Sequence, residues 1–194
     1  YGEKEGSDKY IDLVKKNEIK TINLSSKKFK FDRGLPWKDI RVDYDNKVLS
    51  LISKFNVDIL VAAGYMLFSP VICDKFRILN LHPALPDGPN GTWKNVIKSL
   101  VESKAKTSGV SIHIMTPDLD EGPNISFCKF KIQNNYHQDH TEIEKSEIFS
   151  SIREKQIMYE RVLLRKTLYK ISRGEINIKK DSYVDLTKEV EQSL

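Results

Sequence analysis

Arg77-Ile78-Leu79-Asn80-Leu81-His82-Pro83-Ala84-Leu85-Pro86 is an apolar run, rich in branched residues, that becomes polar at every second position and then meets two prolines. This pattern predicts a buried strand that runs into a loop. Since successive strand side chains point to opposite faces, we expect Asn80 and His82 side by side on one face. Ligands of open α/β sheets bind beyond the carboxyl ends of strands, where this pair lies. Most polar pairs at strand ends, however, only satisfy local backbone groups.

The chain before this strand alternates between predicted helices and strands. The spacing of apolar residues and the capping residues predict these elements: a short helix from Ser7 to Val14, a strand over Ile19–Leu24, a helix over Tyr44–Phe55, a strand over Val57–Ala63 and a short helix over Val71–Phe76. A continuous apolar strand between helices implies parallel pairing. We therefore expect an α/β sheet in which Val57–Ala63 ends at the same edge as His82.

The chain after this strand begins with a loop rich in proline and glycine and continues with further regular elements. The predicted elements are a helix capped by Thr92, a half-buried strand over Val110–Met115, an acidic turn over Thr116–Pro123, a strand over Ile125–Ile132, and a long helix from Ser146 to Ser172 that stops at Gly174. The two strands are expected to pair through the acidic turn. We predict one catalytic domain over residues 1–178 and a charged tail with at most a short helix over residues 179–194.

The composition is that of a soluble globular protein with a single core. The chain has 194 residues, of which 39% are hydrophobic and 30% are charged. It opens at Tyr1 and contains no apolar run of about 18 residues, so neither a membrane span nor a secretion signal is expected and a cytoplasmic location follows. Cys73 and Cys128 lie in apolar stretches without paired spacing, which predicts reduced, buried thiols.

The net charge of +5 is compatible with a phosphate-bearing partner. The lysines are spread along the whole chain, and the densest basic cluster, residues 27–30, is interpreted as solvated lysines around a short strand. Binding to nucleic acid is therefore not favoured. His137 and His140 have a spacing that a metal could use, but no carboxylate or thiol cluster accompanies them, so we interpret them as part of a solvated loop and expect no metal.

The acidic turn adds a carboxylate to the amide and the imidazole at the strand end. Acyl transfer to an amine needs a donor for the developing oxyanion, a proton source beside it and a base for the amine proton. Asn80, His82 and Asp120 together supply these groups. Asp118 is the alternative carboxylate, and both aspartates are also compatible with a turn in which they bond only their own backbone.

These motifs resemble a known family. Residues 80–86, followed by residues 119–123, resemble the signature of the 10-formyltetrahydrofolate-dependent formyltransferases, and most of all their phosphoribosylglycinamide formyltransferase branch. Residues 61–66 are similar to the family's strand and folate-side loop, and residues 173–176 are similar to the end of its final helix. The resemblance covers residues 8–178 and implies a three-layer Rossmann-like fold, with a mostly parallel sheet and an antiparallel edge.

The resemblance also implies roles for individual residues. Asn80 would bind the formyl oxygen, His82 would stabilise the tetrahedral intermediate, and Asp120 would hold His82 and help to remove the amine proton. Ser111 and His113 would support the site from the strand that leads to the turn, although His113 is equally compatible with a packed strand histidine. The residues implied in clasping the pterin of the folate are Gly64, Tyr65, Met66, Leu67, Phe68, Thr116 and Asp118.

By the same resemblance, 10-formyltetrahydrofolate is the co-substrate and a small primary amine that bears phosphate is the acceptor, with glycinamide ribonucleotide in purine biosynthesis as the first expectation. Three departures from the family are visible. The first βαβ unit with its glycine phosphate loop is not found before Tyr1, residues 87–93 differ from the usual loop, and Arg153 and Gln156 stand about where an acceptor-binding carboxylate is expected. These departures leave open a deformylase, a transferase acting on a tRNA-linked amino acid or an amino sugar, and a non-catalytic folate-binding relative.

Overall fold

The computed structural model describes residues 7–65, 70–117, 120–133, 147–179 and 183–194. The chain divides into two compact units, one of Tyr1–Asp58 with Ser69–Phe76 and one of Ile59–Phe68 with Arg77–Leu194. The single catalytic domain over residues 1–178 stays a prediction. Among the described residues, every helix is too short or too polar to cross a membrane.

The first unit is helical in its described residues. Its helices are α1 (Ser7–Lys16), α2 (Ser26–Arg33), α3 (Trp37–Ile52) and α4 (Pro70–Cys73). Helix α3 begins seven residues before the predicted start at Tyr44, because Trp37 and Ile40 continue the helical spacing of its apolar face. The Tyr44 hydroxyl donates to the carbonyl oxygen of Leu24 at 3.0 Å, and its ring lies 5.1 Å from that of Phe29. Tyr44 therefore ties α3 to the segment that precedes α2.

Three further predictions for this unit are wrong. No strand forms over residues 19–24, since a strand needs a hydrogen-bonded neighbour and no described residue provides one. The lysines of residues 27–30 lie in helix α2 rather than around a strand, because lysine is a good helix former and both helix ends are capped. Ser25 accepts the N–H of Lys28, and Gly34, with φ +63°, donates its N–H to the last turn. Helix α4 ends at Cys73, three residues earlier than predicted.

The second unit is built on a mixed sheet. In the described residues its strands are β1 (Leu60–Ala62), β2 (Ile78–His82), β3 (Thr107–Ile114), β4 (Asn124–Lys131) and β5 (Val184–Asp185), in that spatial order. The outer pairs β1·β2 and β4·β5 are parallel, and the inner pairs β2·β3 and β3·β4 are antiparallel. The predicted parallel pairing of β1 with β2 is confirmed, and so is the predicted pairing of β3 with β4 through the acidic turn. Strand β1 is shorter than the predicted Val57–Ala63.

Helices α5 (Trp93–Glu102) and α6 (Glu147–Ser172) contribute to one hydrophobic core with the sheet. The Thr92 hydroxyl accepts the N–H of Asn95, as the sequence predicted for the cap of α5. Helix α6 packs on β3 and β4, where the Thr167 hydroxyl meets that of Ser126 at 2.7 Å. The core side chains of β3 are Val110, Ile112 and Ile114. Gly174, with φ +72°, ends the turn after α6 as predicted.

Strand β3 is buried on both faces, whereas the sequence predicted a half-buried strand. Every residue from Ser108 to Ile114 is buried, including the polar Ser111 and His113. Alternation along the strand places these two side chains opposite the core. The prediction failed because it assigned the polar face to solvent, whereas this face carries the group of polar side chains described below.

The last described segment adds regular structure where the sequence predicted a charged tail with at most a short helix. Strand β5 pairs with β4, and a short helix, α7 (Thr187–Glu191), follows it. Leu186 and Val190 are fully buried in the core, and the Thr187 hydroxyl accepts the N–H of Lys129 at 3.0 Å. Two apolar side chains among many charged ones are enough to hold the segment against the sheet.

Candidate functional site

The register of the sheet brings four polar side chains onto one face. Asn80 of β2 lies directly opposite His113 of β3, and His82 lies opposite Ser111. Side chains that face each other across antiparallel strands are about 4.5–5.5 Å apart at Cβ. The predicted neighbours Asn80 and His82 are thus joined by the two residues that were expected to support them. All four lie in the second unit.

The turn between β3 and β4 brings Asp120 to the same place. Asp120 has φ +57°, a left-handed conformation that aspartate adopts more readily than most residues. Ile114 donates its N–H to the carbonyl oxygen of Pro123 at 2.9 Å, which closes the turn. The register between the strands shifts by one residue between Ile112 and His113, and such β-bulges are common beside functional sites because they redirect side chains.

His113 is fixed as a hydrogen-bond acceptor towards Asn80. Its Nδ1–H donates to the carbonyl oxygen of Ile114 at 3.1 Å, because a carbonyl oxygen can only accept. The neutral ring then has a lone pair on Nε2, which accepts from the Asn80 amide nitrogen at 2.9 Å. The same amide nitrogen lies 3.5 Å from Asp120 Oδ1. His113 thereby sets the orientation of the Asn80 side chain.

His82 is held between a backbone carbonyl and the carboxylate. Its Nε2–H donates to the carbonyl oxygen of Pro89 at 3.1 Å, and its Nδ1 lies 3.6 Å from Asp120 Oδ1. The other oxygen of Asp120 accepts the N–H of Gly91 at 3.0 Å. The loop of residues 83–91 is therefore fastened to the site at two points. Sequence reasoning missed both backbone groups, although the density of proline and glycine marked the loop as one of defined shape.

The electrostatics of the cluster favour a neutral imidazole beside an ionised carboxylate. Burial lowers the pKa of His82 below its ordinary value, and the carboxylate of Asp120 and the Pro89 carbonyl only partly offset this effect. Burial alone would raise the pKa of Asp120, but the His113 side chain, the Gly91 N–H and the His82 ring lower it below the ordinary value. A buried neutral imidazole next to an ionised carboxylate is suited to proton transfer.

The segment that follows His82 is anchored by α6. Gln156 is fully buried and donates its amide N–H to the carbonyl oxygen of Pro83 at 2.7 Å, while its own oxygen accepts from Arg153 at 3.3 Å. Arg153 also pairs with Glu160 at 3.2 Å. Burial raises the pKa of Glu160, although Arg153 opposes that effect. The two residues expected near an acceptor-binding position thus support the loop after the histidine.

The other predicted site residues are only partly described. Ala62 pairs with Asn80, so Gly64 and Tyr65 follow β1 at the sheet edge where His82 lies, and Gly64 turns there with φ +71°. Thr116 lies at the start of the acidic turn and is half-buried. Residues 66–68 and 118, predicted to clasp a pterin, lie outside the described residues, as do His137 and His140. Binding of folate at all these positions stays a prediction.

Replacing Asp120 with asparagine is expected to lower the pKa of His82 further. The carboxylate is the larger of the two groups that oppose the effect of burial on this ring, so its removal leaves only the Pro89 carbonyl against desolvation and the neighbouring His113. The pKa can be followed by NMR pH titration of the imidazole C–H signals, assigned with a His82→Ala variant. An unchanged or raised pKa of His82 in Asp120→Asn would show that the two groups do not interact as the distance of 3.6 Å indicates.

The chain matches the family model described as formyl transferase over residues 7–161. It is 35% identical to formyltetrahydrofolate deformylase of Bacillus subtilis (strain 168) over 112 residues, which are 56% of this chain and 36% of that protein. It is 31% identical to phosphoribosylglycinamide formyltransferase of Escherichia coli (strain K12) over 97 residues, which are 48% of this chain and 45% of that protein. The chain thus spans less than half the length of either relative.

A solved structure supports the same likeness. Phosphoribosylglycinamide formyltransferase from Bacillus halodurans superimposes with a TM-score of 0.64 and 26% sequence identity, covering 83% of this chain and 73% of that one. The Rossmann-like α/β class predicted from the sequence is confirmed by this superposition.

Proposed function

Because the chain belongs to the formyl transferase family, we propose that it transfers a formyl group from 10-formyltetrahydrofolate to a primary amine, with glycinamide ribonucleotide as the first candidate acceptor. The observation that carries the proposal is the cluster of Asn80, His82 and Asp120, in which the amide nitrogen and the imidazole Nδ1 lie 3.5 Å and 3.6 Å from one oxygen of the carboxylate. These are the groups that acyl transfer to an amine requires.

The reaction forms one bond and breaks another at the formyl carbon. The amine nitrogen attacks this carbon and forms the new C–N bond, the formyl oxygen becomes an oxyanion, and the bond to the folate nitrogen then breaks. A proton leaves the amine and a proton reaches the folate nitrogen, so the atoms balance. The site must therefore stabilise negative charge on the oxygen and move one proton.

Each residue has a part in these steps. The Asn80 N–H that faces Asp120 at 3.5 Å makes only a long contact, so it is available to a substrate oxygen. The Nε2–H of His82 now donates to Pro89, and a formyl oxygen would replace that carbonyl as its acceptor. Asp120, ionised beside His82, stabilises the imidazolium and accepts the proton that leaves the amine.

The acceptor is the point on which the relatives differ. The Escherichia coli relative is named for phosphoribosylglycinamide, whereas the Bacillus subtilis relative is a deformylase, in which water takes the place of the amine. The net charge of +5 supports a phosphate-bearing acceptor. Hydrolysis of 10-formyltetrahydrofolate is the second candidate, favoured by the identity of 35% to the deformylase.

The test measures product formation with and without an acceptor. We expect tetrahydrofolate to appear only when glycinamide ribonucleotide is present, with formylated product in equal amount. Release of formate without any amine would assign the hydrolase activity instead. Turnover that occurs only with an amino sugar, or only with a charged tRNA, would identify that compound as the class of acceptor. Binding of the folate by calorimetry with no turnover under any of these conditions would assign a non-catalytic folate-binding protein.

A further inference from the structure

Each of the two histidine rings in the cluster turns its non-donating nitrogen towards the same oxygen atom of Asp120. The His82 ring donates through Nε2 to the carbonyl oxygen of Pro89, and the His113 ring donates through Nδ1 to that of Ile114. The remaining nitrogen of each neutral ring carries a lone pair. Both of these nitrogens, His82 Nδ1 and His113 Nε2, lie 3.6 Å from Asp120 Oδ1.

These distances are close to those between the ligand atoms of a metal ion. The three atoms all lie within 4.8 Å of one another. Two ligands on a tetrahedral zinc ion, with bonds of about 2.0–2.1 Å, are separated by about 3.3–3.4 Å. The two nitrogen–oxygen separations of 3.6 Å exceed this value by only a few tenths of an ångström. The two imidazole nitrogens, which lie within 4.8 Å of each other, must also approach before a cation can bind all three side chains.

The chemistry around the three atoms is also that of a metal site. Histidine ligands of metals nearly always donate their other ring N–H to a carbonyl or carboxylate, which fixes the tautomer, and both rings do so here. Two imidazoles and a carboxylate favour zinc and its transition-metal neighbours, whereas magnesium and calcium prefer oxygen ligands. The three side chains are each at most 7% exposed, so few waters compete for the ligand positions.

We propose that His82, His113 and Asp120 form a binding site for a transition-metal dication, with Zn²⁺ as the preferred ion. Three protein ligands leave one coordination position open, as in many zinc sites that also bind water or a substrate oxygen. The sequence alone expected no metal, because it compared only His137 with His140 and did not place His113 beside His82.

Metal binding and the catalytic arrangement exclude each other. Asn80 donates to His113 Nε2 at 2.9 Å, so the amide must release this nitrogen before a metal can use its lone pair. A metal bound to His82 Nδ1 and Asp120 also occupies the two side chains that would transfer the proton of the amine. Zinc is therefore expected to inhibit formyl transfer, and this second consequence rests on the proposed function, whereas the binding itself does not.

Calorimetric titration of the full chain with ZnCl₂ tests the binding. We expect each chain to bind one zinc ion with high affinity. Because binding depends on the three ligands, the affinity should be at least tenfold lower in His113→Ala and in Asp120→Asn. The Asn80→Ala variant should bind zinc at least as tightly as the wild type, because it removes the competing hydrogen bond. The chain has only four histidines, so His137→Ala/His140→Ala is the matched control and should bind as the wild type does.

A spectroscopic measurement on the wild-type chain avoids any effect of the variants on folding. Zinc should shift the imidazole signals of His82 and His113 in NMR spectra and leave those of His137 and His140 in place. With Co²⁺ as the probe, the visible spectrum should lack the charge-transfer band of a cobalt–thiolate bond, since neither Cys73 nor Cys128 belongs to the cluster.

Any of the following outcomes would overturn the proposal. The first is the absence of zinc binding up to millimolar concentration, and the second is loss of binding in His137→Ala/His140→Ala. The third is a cobalt–thiolate band in the visible spectrum, and the fourth is a zinc affinity that is unchanged in both His113→Ala and Asp120→Asn. The inhibition is measured separately as formyl transfer with zinc and after its removal by a chelator. If no acceptor supports turnover, the proposed function fails while the calorimetry and NMR still decide the metal site.

Discussion

The His82→Ala variant is expected to transfer formyl groups at least about a hundredfold more slowly than the wild-type chain, which is the usual scale for the loss of an acid–base group. The variant loses the Nε2–H that would stabilise the oxyanion and the nitrogen that lies 3.6 Å from Asp120. The loss is expected mainly in kcat, because the oxyanion exists only after attack by the amine. Steady-state assays with both the folate and the amine at saturating concentration would measure it.

The control for this prediction is His140→Ala, a histidine exchange outside the cluster. Its turnover should equal that of the wild type. Thermal unfolding of both variants would show whether the exchange at the buried His82 has also lowered stability. If His82→Ala is folded and its turnover stays within a few-fold of the wild type, the imidazole does not take part in the rate-limiting chemistry, and the proposed mechanism is wrong.

The Gly122→Ala variant is expected to lose about 3 kcal/mol of unfolding free energy, the upper end of the usual cost of overpacking. A Cβ atom on Gly122 would overlap the carbonyl oxygen of Ile114 and lie 2.8 Å from its carbonyl carbon. Both are backbone atoms of β3 and cannot move without breaking the closure of the turn between Ile114 and Pro123. Urea denaturation would measure the loss, and turnover should fall with it because the same turn carries Asp120.

Gly174→Ala provides the matched control. Gly174 has φ +72° with no atom within 4 Å of an added Cβ, so the exchange costs only the backbone strain of the left-handed region, about 1–2 kcal/mol. It should leave turnover unchanged, because Gly174 follows α6 and not the acidic turn. A Gly122→Ala variant as stable as the wild type would show that the turn does not pack against Ile114.

Local patterns predicted the central part of the second unit. The alternation of residues 78–82 predicts strand β2, the cap at Thr92 predicts α5, and the glycine at position 174 predicts the end of the long helix, because each depends on neighbours within a few residues. The same local reasoning placed Asn80 beside His82 and proposed Asp120 as their carboxylate. The catalytic roles of these residues remain predictions.

Long-range contacts explain most of what the sequence did not predict. Residues 19–24 look like a strand, but a strand depends on a partner that its own sequence cannot name. Ser111 and His113 alternate with apolar residues, which predicted a half-buried strand, yet the strand is buried on both faces because its polar face is covered as well. Val184 and Leu186 are too few to give a pattern, so their attachment to β4 could not be predicted.

The sequence by itself determined which residue types stand at the end of β2 and in the acidic turn, because strand alternation and turn formation are local. Only the tertiary structure decided how they meet. The register of β2 against β3 sets Asn80 opposite His113, and the left-handed turn at Asp120 brings one carboxylate within 3.6 Å of two imidazoles. The loop carbonyl of Pro89 and the N–H of Gly91 then fix the histidine and the carboxylate, since backbone groups carry no sequence signature of their partners.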